Sequence, residues 1–388
     1  MIHIGVGVSL DGGATWSDSI LRPEVMWQGN LEFDPMTAYD DRTGTLWAGG
    51  MSRLAQDGAI FVARKDPGQS TFGPAITAWT GPRELIDKGW MAAGPPPGNP
   101  NATNVYIAFV QGFLVSTDMG NEWTLTTFWQ FSGDHHLPRV GPGGEVYVVY
   151  REGGPVPLRH FLFRSFDGGS SFGTPILIVL RNDTWSDPTG SRFPGRFRAF
   201  ITHGFAVDKA TGILYFVYFD KTNVVNGNVN IDLYLTKSFD QGANWTTPVI
   251  INGDPDPPGD QFFPWLEVDQ RGNLHLVFLD SSNTVQDDNV EHGMLDAYYA
   301  FSDDGGDTWQ EFRLTPNSFD SFDDGLNRSV QFLGDYLGLA RGDCRVYPSY
   351  LSTQNGDPDI FSHVIEVEAA CCIERRPGFP ICLNLTQS

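Results

Sequence analysis

Ser302-Asp303-Asp304-Gly305-Gly306-Asp307-Thr308-Trp309 is the stretch from which the rest of the chain is read. Its pattern, Ser-x-Asp-x-Gly-x-x-aromatic, returns at Ser9–Trp16, Ser116–Trp123, Ser165–Phe172 and Ser238–Trp245. A degraded copy lies at Asp66-Pro67-Gly68, with Phe72 one residue late. The Asp carboxylate is suited to accept hydrogen bonds from the amides of its own turn. The Gly two positions later supplies a positive φ, and the aromatic ring folds back beside the hairpin. A turn unit recurring at intervals of tens of residues points to an array or a propeller.

Working outward, a second unit precedes most of these turns: a Gly-containing turn, then a very apolar run. Asp208-Lys209-Ala210-Thr211-Gly212 leads into Leu214-Tyr215-Phe216-Val217-Tyr218, and Asp269-Gln270-Arg271-Gly272-Asn273 into Leu274-His275-Leu276-Val277-Phe278. These are β-formers bounded by turn-formers. Their near-continuous apolar character predicts strands covered on both faces. Each unit therefore reads strand, turn, strand, loop, strand, Ser-x-Asp turn, strand. Six inner hairpins are expected, starting near residues 31, 89, 137, 203, 264 and 334.

The repeats resemble the Asp-box of sialidases and related β-propellers. The resemblance covers nearly the whole chain and implies an all-β fold, a six-bladed β-propeller, with seven blades as the alternative because of the extra strand Asp359–Val367. One domain is expected over 1–369, closed by pairing of N- and C-terminal strands, followed by an irregular tail at 370–388. In the family the boxes lie at the periphery and are structural.

Composition narrows the partners. Lys and Arg number 25 against 47 Asp and Glu, a formal charge of −22. Nucleic acid is not the expected partner, because binding it rests on Lys and Arg neutralising phosphates. No segment approaches the ~18 apolar residues of a membrane span, so no membrane insertion is expected. The start, Met1-Ile2-His3-Ile4-Gly5, lacks the regions of a signal peptide and reads as a chain whose leader has been removed or as a fragment. The four cysteines, Cys344, Cys371, Cys372 and Cys382, cluster late. They suggest a disulfide-tied tail and hence a secreted or cell-surface setting. A zinc site is the alternative, without Cys-x-x-Cys spacing to support it. No cofactor is expected; acid-rich loops at 254–260, 287–296 and 320–324 leave structural calcium open beside plain solvation.

In a propeller the functional mouth is built from residues leaving the second strands and residues starting the innermost ones. The first set comprises Arg53, Arg151 with Glu152, Asp220 with Lys221, Asp280, and Tyr350. The second comprises Trp90, His135 with His136, Arg196 and Arg198 ahead of His203, Trp265, and Asp335 with Tyr336. The sialidase resemblance implies roles for them. Arg53, Arg151 and Arg196 or Arg198 would hold a substrate carboxylate. Tyr336 or Tyr350 would be the nucleophile, with Glu152 as its partner and Asp220 or Asp280 as acid/base. His136 would complete the pocket, and Trp90 and Trp265 would be sugar-stacking platforms. The family's Arg-Ile-Pro string is absent; the nearest string, Leu137-Pro138-Arg139, runs in reverse order. The partner implied is a glycan or polysaccharide. Three readings stand: a sialidase-like glycoside hydrolase on acidic glycans, a glycan-binding propeller without catalysis, and an adhesive or structural scaffold.

Overall fold

A computed structural model describes residues 3–23, 31–129, 133–153, 158–181, 202–225, 228–253, 259–282, 293–323, 333–342, 344–367 and 383–387. Strands dominate; the helical segment among these residues is one 3-10 turn at Arg83–Leu85. The chain divides into two compact units, Met1–Leu180 and Arg181–Ser388.

The first unit opens with the hairpin β1 (Ile4–Val8) and β2 (Ser17–Leu21), which pair with each other. Three four-stranded sheets follow, each made of consecutive strands. They are β3 (Leu31–Asp40), β4 (Thr45–Leu54), β5 (Asp57–Lys65) and β6 (Ile76–Pro82); β7 (Trp90–Gly94), β8 (Asn104–Phe109), β9 (Gly112–Ser116) and β10 (Thr124–Phe128); and β11 (Gly133–Val140), β12 (Val146–Glu152), β13 (Leu158–Ser165) and β14 (Ile176–Arg181).

The second unit repeats the plan with β15 (His203–Val207), β16 (Leu214–Val225), β17 (Asn228–Ser238) and β18 (Val249–Ile250). Next come β19 (Gln261–Val268), β20 (Leu274–Asp280), β21 (Met294–Ser302) and β22 (Gln310–Arg313), with the short β23 (Phe319–Asp320) also on β21. The last sheet holds β24 (Gly338–Arg341), β25 (Arg345–Ser352), β26 (Asp359–Val367) and β27 (Leu383–Gln387). Two expectations are corrected here. The extra strand Asp359–Val367 is an ordinary third strand, β26. The fourth place beside it is taken by Leu383–Gln387 of the tail, antiparallel to β26, where the N-terminal segment was expected. Cys371, Cys372 and Cys382 lie outside the described residues.

All seven residues of β20 and all six of β8 are buried, while β25 alternates between buried and half-buried positions. Each unit has its own core. In the first, Trp47, Met51 and Ile60 meet Met91, Ile107 and Phe109 from the next sheet. In the second, Val217, Phe262, Leu266 and Val277 pack together.

The repeated turn joins third to fourth strand in β9–β10, β13–β14, β17–β18 and β21–β22, and also joins β1 to β2. In the quoted copy Ser302 Oγ donates to Asp304 Oδ1 at 2.8 Å and accepts from Gly306 N at 2.8 Å. Thr308 donates its amide to Asp304 Oδ1 at 2.9 Å and its hydroxyl to Oδ2 at 2.6 Å. The same ring of bonds at Asp11, led by the Thr15 hydroxyl and then its amide, pulls that carboxyl down to about 2.

The second glycine of the turn has a further job. Gly120, Gly169 and Gly306 have φ of 89°, 85° and 88°. A Cβ added at each would meet the preceding sheet: Trp47 Nε1 at 3.0 Å, Phe113 Cε1 at 2.7 Å and Leu235 Cδ2 at 2.3 Å, respectively. Polar contacts follow the same path. Trp47 Nε1 donates to Met119 O at 2.9 Å and Thr126 Oγ1 to Gly169 O at 2.7 Å. The turn is thus a joint between sheets as well as a hairpin staple.

This geometry separates two neighbouring glycines. Both Gly305 and Gly306 have positive φ, but a Cβ on Gly305 meets nothing nearer than Tyr215 Oη at 3.7 Å. Gly305→Ala should cost about 1–2 kcal/mol, the left-handed strain alone. Gly306→Ala should cost a further ~1–3 kcal/mol for overpacking against Leu235. Urea denaturation of the two variants checks the ordering; equal losses would contradict the joint.

Candidate functional site

The start of the inner strands carries a repeated irregularity. β3 is bulged between Phe33 and Met36, β11 between Asp134 and Leu137, and β19 between Phe262 and Trp265. At each bulge a non-glycine residue is left-handed: Asp34 at φ 49°, His135 at 54° and Phe263 at 56°. Lys88, two residues before β7, matches them at 54°. Bulges of this kind re-aim side chains, and left-handed non-glycine residues concentrate at functional sites. The sequence signal was proline: Pro35 and Pro264 lie inside inner strands, where proline marks a bulge.

In the first unit the irregular ends gather charge. Arg53, one residue short of the end of β4, donates Nη2 to Ile86 O at 2.7 Å and lies 3.9 Å from Asp87 Oδ2. Its guanidinium sits 4.4 Å from the centre of the Phe33 ring. The Lys88 amide donates to Asp34 Oδ2 at 2.7 Å. Burial pushes the Asp34 carboxyl up to about 6; Lys88 opposes the shift and Asp87 adds to it. Neither Asp34 nor Asp87 was among the residues singled out from the sequence.

Arg151 is placed differently from its expected role. Its fork grips Asp134, Nε to Oδ1 at 2.8 Å and Nη2 to Oδ2, and His135 Nδ1 lies 2.8 Å from the same Oδ1. Burial opposes ionisation of Asp134, but His135 and Arg151 together hold its carboxyl well below the usual range. A guanidinium already paired bidentately has its carboxylate-shaped face occupied. Glu152, expected as partner to a tyrosine, accepts from Arg159 Nε at 2.7 Å. Trp90 starts β7 and is half-buried. Arg196 and Arg198 lie outside the described residues. His136 is fully buried, stacked between Trp129 at 5.2 Å and Tyr150 at 5.1 Å with nearly parallel rings. That makes it a core ring rather than a pocket wall.

The second unit holds a buried polar relay. Asp220 and Asp232 face each other across β16 and β17. Like charges so placed repel, and both are compensated. Arg181 Nε lies 3.5 Å from Asp220 Oδ2, and Asn252 Nδ2 donates to Asp232 Oδ1 at 3.1 Å. Asn252 Nδ2 also donates to Gln261 Oε1 at 2.9 Å, and Gln261 Nε2 donates to Asp280 Oδ2 at 2.7 Å. Asp280 accepts further from Ser282, amide to Oδ1 at 2.8 Å and hydroxyl to Oδ2 at 3.0 Å. Burial raises the Asp280 carboxyl; Gln261 and Ser282 oppose this, and Asp296, opposite it in the ladder, adds to it. Asp296 is matched to Arg313, Thr315 and Ser318. The strands thus bring Asp280 into one network with Asp232, the residue opposite Asp220.

Trp265 follows the β19 bulge and is half-buried, as is Tyr336 ahead of β24. Tyr350 is buried against His363 Nε2 at 3.0 Å, and burial pushes its hydroxyl up to about 12. It is therefore a poor nucleophile. Among the described residues no group of three or more His, Cys, Asp or Glu is placed to hold a metal ion. No helix of these residues is long and apolar enough to cross a membrane.

No protein-family model and no curated protein matches the chain. Solved structures do. An α-L-arabinanase of Penicillium chrysogenum complexed with arabinobiose matches at TM-score 0.53 and 10% identity, over 87% of this chain and 95% of that one. The α-L-arabinofuranosidase Arb93A of Fusarium graminearum, with an iminosugar inhibitor, matches at 0.52 and 12%, over 86% and 93%. A PL25 ulvan lyase bound to -[GlcA(1-4)Rha3S]- matches at 0.52 and 12%, over 86% and 82%. These are β-propellers, and the likeness is one of fold.

Burial lowers the His136 imidazole to about 3, with Asp134 opposing the shift and His135 adding to it. The folded state therefore keeps this ring neutral, while the unfolded ring titrates near the ordinary imidazole value of 6.5. Stability from this group is full above 6.5 and is lost as pH falls toward 3. His136→Phe should flatten the fall in melting temperature between those limits while keeping the aromatic stack. An unchanged pH dependence would show that another group controls acid unfolding.

Proposed function

We propose that this chain is a six-bladed β-propeller of the Asp-box type, secreted or displayed at a surface, that acts on polysaccharides. The observation that carries the reading is the buried relay ending at Asp280, a carboxyl raised by burial and held in place by Gln261 and Ser282. A carboxyl that holds its proton more tightly than usual is better suited to donate it to a glycosidic oxygen. Support of a different kind comes from the fold neighbours, whose names describe action on arabinan and on an acidic polysaccharide. Half-buried Trp90 and Trp265, on strands that begin with the same left-handed irregularity, suit stacking on sugar rings.

The sialidase form of the proposal is weaker than the general one. Three free arginines were its requirement, and the Arg151 fork is taken by Asp134. We therefore place the substrate among acidic or neutral polysaccharides, with Asp280 as proton donor and Asp220, whose ladder partner Asp232 shares the same network, as a further carboxylate of the second unit.

Asp280→Asn tests this on a panel of arabinan, a sulfated uronic-acid polysaccharide and sialosides, read as reducing ends released. The variant should lose ~10²–10⁴-fold in rate with little change in melting temperature. Full turnover by the variant would remove Asp280 from the chemistry. Tight binding by the parent without any turnover would favour a glycan-binding propeller instead.

A further inference from the structure

One copy of the Ser-x-Asp turn departs from the other four. In those four a side-chain donor fills the second carboxylate oxygen: Thr15 at Asp11, Ser171 at Asp167, Asn244 at Asp240 and Thr308 at Asp304, all within 2.7 Å. At Asp118 the matching residue is Glu122, which when ionised has no proton to donate. Asp118 Oδ1 takes the Ser116 hydroxyl and the Asn121 and Glu122 amides, while Oδ2 takes no hydrogen bond among the described residues. Burial opposes ionisation, but the Glu122 amide, the Ser116 hydroxyl and the Asn121 amide hold this carboxyl below the usual range. The turn thus forgoes one of its own bonds and leaves a charged oxygen on an exposed side chain.

Asp118 and Glu122 line a groove of about 520 Å³ in the first unit, between the β9–β10 turn and the β13–β14 turn of the next sheet. That volume lies in the range of small-ligand sites. The groove also reaches a buried amide. Asn104, at the start of β8, lines it and is only 5% exposed. Among the described residues the polar side chain acting on Asn104 is the Tyr106 hydroxyl, which is itself buried without a hydrogen-bond partner. A Cβ added at Gly168 would lie 3.6 Å from Asn104 Nδ2, so the amide sits against the bare backbone of the facing turn. An amide buried with its bonding capacity unused costs free energy. Beside it Phe166 is 53% exposed, with the Arg164 guanidinium 5.8 Å from the ring centre. No Lys, Arg or His is among the described residues lining the groove.

We infer that this groove is a non-catalytic binding site for neutral polysaccharide, in which Asn104 and Asp118 Oδ2 hydrogen-bond sugar hydroxyls and Phe166 packs against a sugar ring. This rests on the reading that the protein acts on glycans, and adds to it a second site with its own preference. A sugar hydroxyl donates and accepts at once, so it satisfies both the carboxylate, which only accepts, and the amide, which does both. An exposed aromatic ring beside a few convergent polar groups completes that chemistry. Charge decides the class of glycan: Asp118, Glu122 and Asp167 line the groove and repel sulfate and uronate groups. A basic peptide would suit the carboxylates, but its ammonium and guanidinium groups only donate and would leave the Asn104 amide hydrogens unpaired.

The experiment compares the parent, Phe166→Ala, Glu122→Thr and Asp280→Asn by affinity electrophoresis on arabinan, galactan, a sulfated uronic-acid polysaccharide and poly-L-lysine, with turnover and melting temperature measured alongside. Phe166→Ala should weaken binding of a neutral polymer by ~3–10-fold. Glu122→Thr supplies the hydroxyl that the other copies use, so it should close on Asp118 Oδ2 and raise the melting temperature while neutral-polymer affinity falls by about the same factor. A purely structural Glu122 predicts the rise alone. Binding of the sulfated polymer and kcat on short oligosaccharides should stay parental in both variants. Parental neutral-polymer affinity in both, with turnover lost in Asp280→Asn, would overturn this inference and leave the polysaccharide reading standing. Binding of poly-L-lysine that both variants lose, without binding of a neutral polymer, would overturn it in favour of a basic peptide. Neutral-polymer binding that both variants lose, without turnover by the parent, would support the groove and remove the catalytic reading. Neither binding nor turnover of any polymer by the parent would overturn both.

Discussion

The rest of the structure depends on the glycine that ends each Ser-x-Asp turn. Gly120, Gly169 and Gly306 must be left-handed, and each presses its α-carbon against a side chain of the preceding sheet. A Cβ would strain the backbone and collide with the neighbour at once. Because the Asp carboxylate fixes the turn from within, the glycine is delivered to the same place in each repeat. The close approach of neighbouring sheets at Gly120, Gly169 and Gly306 follows from that contact, and strands such as β8 and β20 are buried on both faces.

Rigid outer joints leave irregularity for the inner strands. β3, β11 and β19 each take one extra residue near their start and absorb it in a left-handed conformation. Such strain persists only where surrounding packing over-determines it. It turns Asp34, Lys88 and His135 away from a plain ladder and into contact with carboxylates. The chemistry of each unit is therefore concentrated at one end of its inner hairpins. In the first unit this yields paired opposite charges; in the second it yields an amide relay between buried acids.

The two arrangements handle buried charge differently. Asp134 is kept ionised by an arginine fork and a histidine. Asp280 and Asp34 lack so strong a cation and are pushed toward their protonated forms. A carboxyl held ionised is a structural anchor or an acceptor, whereas one near its proton-exchange range can transfer a proton. That contrast is the reason for proposing chemistry at Asp280 and not at Asp134 or Arg151.

The sequence by itself determined the turns, the six inner hairpins and the all-β class, because each rests on residues a few positions apart. Ser, Asp, Gly and Trp of one turn meet within a single hairpin, and the apolar runs declare strands covered on both faces. It also pointed to the strand ends where charge gathers, through Arg53, Arg151, Asp220 and Asp280. Only the tertiary structure decided what those residues touch. That Arg151 is spent on Asp134 depends on a register set by a bulge. That Asp34 meets the Lys88 amide joins β3 to the segment before β7, and the raised Asp34 carboxyl follows from burial, which no local pattern records. The last sheet's fourth strand comes from the tail for the same reason: strand pairing is chosen by free edges in space, not by order along the chain.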